Sequence, residues 1–210
     1  GEAARILQVK RAIRLQAQLA GQSQQAGVRA ASLDELQQGV DRAARLVDQL
    51  LSMARLEADV PGKAPVRLDE LAKRVVAELS TLAEARGIDL GVTDCTAVSV
   101  SGQAGSLRTM LGNLVDNAIR YTPAGGRVDI AVTREGDAAA ITVSDTGPGI
   151  PASERERVFD RFHRLAGAEI PGSGLGLAIV RQAVNQHGGR IVLDEAAEGG
   201  LRARVELPVG

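Results

Sequence analysis

Asn113 and Asn117 stand four residues apart, so on a helix both amides project from one face, one turn from each other. A neutral amide oxygen suits Mg2+, which takes oxygen ligands and keeps water and phosphates in its remaining positions. Arg120 and Tyr121 follow on the adjoining surface and extend this wall toward phosphate. Taken alone, the pair reads better as exposed amides on a surface helix. Asp145 ends an alternating segment and enters Thr-Gly147-Pro-Gly149-Ile-Pro, which can neither continue a strand nor begin a helix before Pro151. An ionised Asp held at that loop entrance only accepts hydrogen bonds. It therefore matches the exocyclic amine of adenine and repels the carbonyl oxygen that guanine presents there, a discrimination on the order of 1.5–3 kcal/mol. Without other motifs, Asp-x-Gly would be a turn and nothing more. Gly172-Ser-Gly174-Leu175-Gly176-Leu177 opens a helix that runs to about His187. Missing Cβ atoms let its backbone approach phosphate, and the helix N-terminus adds free donors and a favourable dipole. There is no Gly-Lys-Ser/Thr and no Gly-x-Gly-x-x-Gly, which excludes P-loop and dinucleotide-fold readings. In this fixed order the three motifs describe an ATP site.

Between the second and third motifs, Val158-Phe159-Asp-Arg-Phe162-His-Arg164 precedes the Gly- and Ala-rich run 165–173. That is the composition of a mobile lid anchored by a hydrophobic plug. The elements needed to position these residues are a helix over 68–86, strands at 88–93 and 97–101, and a helix over 103–121. Alternating strands at 127–134 and 138–145, a helix after Gly174, and strands at 190–195 and 201–207 complete the set. Strands in runs with helices between them predict an α/β sandwich, with helices on one face of a mixed sheet. Residues 67–210 form this expected domain.

Upstream, Leu33, Leu36, Val40, Ala43, Val47, Leu50 and Ala54 alternate in steps of three and four, and Leu46 and Leu51 widen the stripe. Ile6, Val9, Ile13, Ala17 and Ala20 give a second stripe. Residues 1–57 are expected to be an α helical hairpin that pairs with a second copy into a dimeric four-helix bundle; packing onto the chain's own C-terminal domain is the alternative. Residues 58–66, with two prolines and a glycine, are expected to be the linker.

The chain has 210 residues, 44% of them hydrophobic, with three aromatics in all: Tyr121, Phe159 and Phe162. The core must be built from Ala, Leu, Val and Ile, and base-stacking platforms are excluded. A formal net charge of −1 gives no field for nucleic acid or an anionic membrane. One cysteine, Cys95, rules out an intrachain disulfide, and one Cys with two distant His is no zinc pattern. No apolar run approaches a membrane span and no signal-peptide pattern opens the chain.

The quoted residues resemble the N, G1, F and G2 boxes of two-component sensor histidine kinases, which share an ATPase superfamily with gyrase and heat-shock chaperones. The resemblance implies that Asn117 holds Mg2+ and that Asn113, Arg120 and Tyr121 contact phosphates or ribose. It implies that Asp145 binds the adenine amine, that Gly147, Gly149, Gly172, Gly174 and Gly176 with Leu175 and Leu177 shape pocket and lid, and that Phe159 and Phe162 couple lid to helical domain. It further implies a homodimer, a response regulator receiver domain as partner, and a cytoplasmic location within a longer, membrane-anchored protein. The hairpin separates this reading from the superfamily relatives that lack it.

One piece departs from the pattern. The family's phosphoacceptor His, with its acidic neighbour and kinking Pro, would fall near Ala4 and Arg5, where this chain reads Ala-Ala-Arg-Ile-Leu-Gln-Val-Lys-Arg. Replacement of the helix, degeneration of a kinase, and an acceptor in another molecule all stay open. His163 reads as a lid surface residue, and His187 as a helix C-terminal residue favourable to the dipole. The leading expectation is a kinase core that binds Mg-ATP without a hairpin acceptor. The rivals are a catalytically silent, ATP-responsive scaffold and, disfavoured by charge and hairpin, an ATPase acting on DNA.

Overall fold

The computed structural model describes residues 62–165 and 173–209. The hairpin expected over 1–57, the linker residues 58–61 and Gly172 lie outside them. In chain order the elements are β1 (Ala64–Arg67), α1 (Leu68–Ala85), β2 (Asp89–Cys95), β3 (Ser99–Gly102), α2 (Ala104–Tyr121), β4 (Arg127–Glu135) and β5 (Ala138–Asp145). Two short 3-10 turns, Ala152–Glu154 and Arg157–Phe159, lead to α3 (Gly176–Gln186), β6 (Arg190–Glu195) and β7 (Leu201–Pro208).

Five strands form a mixed sheet in the order β2-β4-β5-β7-β6, with β2 and β4 parallel and the other pairs antiparallel. Register stacks one apolar layer: Val132 faces Ile141, Ile141 faces Val205, and Val143 faces Ala203, all of them buried. The helices cover that layer. α2 turns Leu107, Met110, Leu111, Leu114, Val115, Ala118 and Ile119 inward at the three-and-four spacing of an amphipathic helix. Its other face is left with Thr109, Gly112, Asn113, Asp116, Asn117 and Arg120. This is the expected α/β sandwich, and the three helices and their neighbouring strands lie close to the expected ranges.

One expectation needs correction. Residues 64–66, read as the end of a linker, belong to β1, which pairs antiparallel with β3 in a separate two-stranded sheet. Pro65 is tolerated because a two-stranded ribbon has only edge strands, where a missing N–H need not break a ladder. His187 ends α3, as expected, and it is buried, 5% exposed. Its Nδ1 lies 2.7 Å from the carbonyl of Ala183, and its Nε2 accepts the N–H of Gln103 at 3.0 Å. Acceptance at Nε2 places the proton on Nδ1, so the ring is neutral and fully partnered. It fastens the C-terminal end of α3 to the N-cap of α2, and its ring occupies the space that a side chain at Gly102 would need. His187→Ala should cost about 1–3 kcal/mol, the penalty for a lost buried hydrogen-bond partner, readable as a lower denaturant midpoint.

Candidate functional site

The exposed face of α2 is where the first motif lies. Asn113 spends its Nδ2 on the carbonyl of Thr109, 2.8 Å away, within its own helix. Its Oδ1 is thereby turned outward, and across from it sits the first residue of α3. A Cβ built on Gly176 would lie 3.2 Å from Asn113 Oδ1, 3.3 Å from Asn117 Nδ2 and 3.5 Å from Asn117 Oδ1. The two amides are therefore not surface groups: they face the N-terminus of an eleven-residue helix. That terminus carries no side-chain cap. Leu175 is fully buried and its N–H goes to Ser173 Oγ at 3.1 Å, which anchors the turn, while Leu177 is half-buried on the first helical turn. The first N–H groups of a helix have no intrahelical acceptor, so they and the positive end of the dipole are available to an anion.

Arg120 sits one turn beyond Asn117, half-buried, its Nε 2.6 Å from Asp116 Oδ2. The carbonyl of Arg120 accepts a bond from Arg86 at 3.3 Å. Tyr121 ends α2, and its carbonyl stands 3.0 Å from where a Cβ on Gly147 would be, so the second motif packs directly against the end of the first. A cleft of about 270 Å3 between α1 and α2, lined by Val75, Leu79, Arg108 and Gly112 among others, meets this wall at Asn113 and Asp116. Asp145 does not line it.

Asp145 is 7% exposed at the end of β5. Its Oδ1 accepts the N–H of Gly147 at 2.9 Å and that of Leu201 at 3.2 Å; Oδ2 has no protein partner among the described residues. Burial pushes the carboxyl above its ordinary range, and the two N–H donors oppose that push. A buried, unpaired acceptor beside a pinned one is what a base amine would satisfy. Gly149, in the same loop, packs on the carbonyl of Gly200.

Phe159 is buried, with the Arg181 guanidinium of α3 5.2 Å from its ring centroid. Phe162 has a left-handed backbone, φ 65°, and its N–H donates to the carbonyl of Gly174 at 2.8 Å. Gly174, itself at φ 72°, has no room for a side chain: a Cβ would lie 2.7 Å from the His163 carbonyl oxygen. The ends of the segment read as a lid are thus pinned to one another. His163 contacts Glu154 at 2.9 Å, and that bond is the main reason the Glu154 carboxyl lies below its ordinary range. Coupling of the two Phe residues to the helical hairpin falls outside the described residues. Sequence reasoning passed over Asp116, Arg181 and Leu201. The i,i+4 spacing to Arg120 could have flagged the first; the third acts through its main-chain N–H and leaves no residue signal.

Residues 102–210 match the family described as histidine kinase-, DNA gyrase B-, and HSP90-like ATPase. The chain belongs to that family. Its relatives within this ATPase family include the sensor protein kinase PmrB of Pseudomonas aeruginosa, 40% identical over 200 residues that make up 93% of this chain and 42% of PmrB. The sensor protein QseC of Escherichia coli K12 is 35% identical over 90% of this chain and 41% of its own length. The chain thus spans less than half the length of these curated relatives. Among solved structures, the mycobacterial sensor histidine kinase MprB matches with a TM-score of 0.62 at 36% identity, over 70% of this chain and 98% of that one. Full-length ShkA in complex with AMPPNP matches with a TM-score of 0.73 at 26% identity, over all of this chain and 44% of ShkA.

For this ATPase domain the raised pKa of Asp145 has a stability consequence. The folded-state contribution is complete below the ordinary carboxylate value, about 4, and is lost as pH rises through the higher folded value. Asp145→Asn keeps an Oδ1 acceptor for Gly147 and Leu201 while removing the charge. Its denaturation midpoint should equal or exceed that of the parent at neutral pH, and the gap should close on acidification toward pH 4.

Proposed function

We propose that the chain is the ATP-binding core of a sensor histidine kinase, working on Mg-ATP. The observation that carries this reading is the convergence of three motifs on one side of the sheet: the amides of Asn113 and Asn117 against Gly176, and Asp145 with one acceptor left open. In this reading Asp145 takes the adenine amine, and Asn113, Arg120 and Tyr121 flank the phosphates or ribose. Gly147, Gly149, Gly174 and Gly176 keep the backbone close enough for its N–H groups to reach, with Leu175 and Leu177 seating the turn. Gly172 is assigned to the same phosphate turn by its place in the motif, and Phe159 and Phe162 to the coupling of lid and helical domain.

The donor set fits Mg2+ in a particular way. Among the described residues no group of three or more His, Cys, Asp or Glu could hold a metal. A cation here would rest on the neutral oxygen of Asn117, on water and on the phosphates themselves, as Mg2+ ordinarily does in nucleotide sites. When bound it supplies neutralisation of phosphate charge. The chain's own contribution is to fix the phosphates between the α2 amides and the α3 N-terminus, and positioning of that kind dominates phosphoryl transfer.

Residues 1–57 are assigned to a dimerising hairpin, 58–63 to the linker and the rest to the ATPase domain. A response regulator receiver domain is the partner, and a membrane-anchored sensor with its catalytic part in the cytoplasm is the setting. PmrB is a sensor protein kinase and MprB a sensor histidine kinase, which supports phosphoryl transfer to a His and onward to a regulator. A second reading has its own observation. No His occurs in residues 1–57, and both histidines of the chain, His163 and His187, are engaged inside the ATPase domain. That favours a scaffold that responds to ATP without phosphorylating itself.

Titration with a fluorescent ATP analogue in Mg2+ should saturate, with affinity weakened roughly tenfold by Asn117→Ala, the equivalent of about 1.4 kcal/mol. Absence of saturable binding would sink both readings. Intact-mass measurement after Mg-ATP, with acid-labile adducts preserved, separates them: an adduct lost in Asp145→Asn marks a working kinase, whereas binding without an adduct marks the scaffold.

A further inference from the structure

The carboxylate of Asp145 is held from two directions, and the second comes from far along the chain. The β5–β7 ladder runs from Ala138 opposite Pro208 to Ser144 opposite Arg202. One step further, Leu201 does not continue the ladder; its N–H turns to the side chain of Asp145 at Oδ1. Gly200 makes that possible. At φ 89° it lies flat on the end of β5, where a Cβ would fall on the carbonyl oxygen of Asp145 and stand 2.9 Å from the N–H nitrogen of Gly147. Its own carbonyl packs on Gly149, so the turn before β7 and the loop after β5 form one packed unit.

We propose that the Gly200–Leu201 step is a specificity-determining part of the nucleotide site, fixing Oδ1 of Asp145 so that Oδ2 alone is presented to the 6-amino group of a purine. The inference rests on the ATP reading of this site and deepens it. A carboxylate torsion is broad, so one N–H from Gly147 in its own loop still lets the plane of the group swing and carry its other oxygen off the direction of the amine. The bond from Leu201 closes that freedom. It also favours the ionised form against the desolvation that raises the carboxyl's pKa, with no charged side chain contributing. An ionised carboxylate only accepts, whereas a protonated one could donate to the 6-carbonyl of guanine and lose the distinction. Gly200 and Leu201 act through Asp145 as positioning residues and need not touch the nucleotide.

The test is competition of ATP and of GTP against a fluorescent ATP analogue on the 210-residue chain. Gly200→Ala removes the close approach, and Leu201→Pro deletes the N–H while keeping a residue tolerated at the start of a strand. Gly199→Ala is the control: it lies in the same turn at φ 83°, with nothing within 4 Å of a Cβ. Gly200→Ala and Leu201→Pro should each reduce the preference for ATP over GTP roughly tenfold, the loss expected when a charge-assisted bond is misplaced. Gly199→Ala should keep it. If Gly200→Ala fails to give a cooperative melt, Leu201→Pro carries the same expectation. Unchanged preference in a folded variant overturns this inference and leaves the ATP site standing. Nucleotide binding by the parent with no preference for ATP removes the base-reading role of Asp145 and this inference with it.

Discussion

Side-chain-free contact at residue 176 is the constraint on which the placement of the other parts depends. α3 must begin against the amides of Asn113 and Asn117, and even a methyl group there would crowd them. α2 can offer those amides only because its opposite face is given over to the sheet, with seven apolar side chains spaced to bury together. α3 is then held at its other end by His187, which reaches the N-cap of α2. The two helices run in opposite senses and are fastened at both ends, so the separation between the α3 terminus and the amides is set by packing rather than by any single bond.

The electrostatic character of the site follows from what it leaves out. The part around Asn113, Asn117 and the start of α3 is built of neutral amides, main-chain N–H groups and one guanidinium already tied to Asp116. Asp145 is a single carboxylate, buried, with its charge supported by two N–H donors rather than by a cation. In the proposed reading, an opposite charge beside Asp145 would compete with the base amine for its free oxygen. On the strands β6 and β7, by contrast, carboxylates are paired with cations: Arg190 and Arg204 hold Glu206 at a pKa of about 2.

Much of this was legible from residue order. Three-and-four spacing located α1 and α2 almost to the residue, because an apolar stripe is a direct imprint of the sheet they cover. Asn113, Asn117, Asp145 and the Gly174–Gly176 turn were readable as one site because their chemistry is carried by side chains or by the lack of them. β1 was not, since four residues with a proline leave no periodicity and its partner β3 is about 35 residues away. That His187 ends a helix was readable, but its burial was not, because a helix end gives no sign of whether it is covered; only Gln103, 84 positions earlier, settles that. Leu201 was invisible for a different reason, since a main-chain donor is the same in every residue but proline.

The bond between Leu201 and Asp145 spans 56 positions and closes with the last strand. On a ribosome, which delivers the chain from its N-terminus, α2 and β5 emerge well before the turn that fixes the carboxylate. Contacts of such long sequence separation also form late in refolding, after the loop between them has been closed at an entropic cost. A nucleotide can therefore offer little to the growing or half-folded chain; it selects the finished domain, adding stability in proportion to how tightly that domain alone binds it.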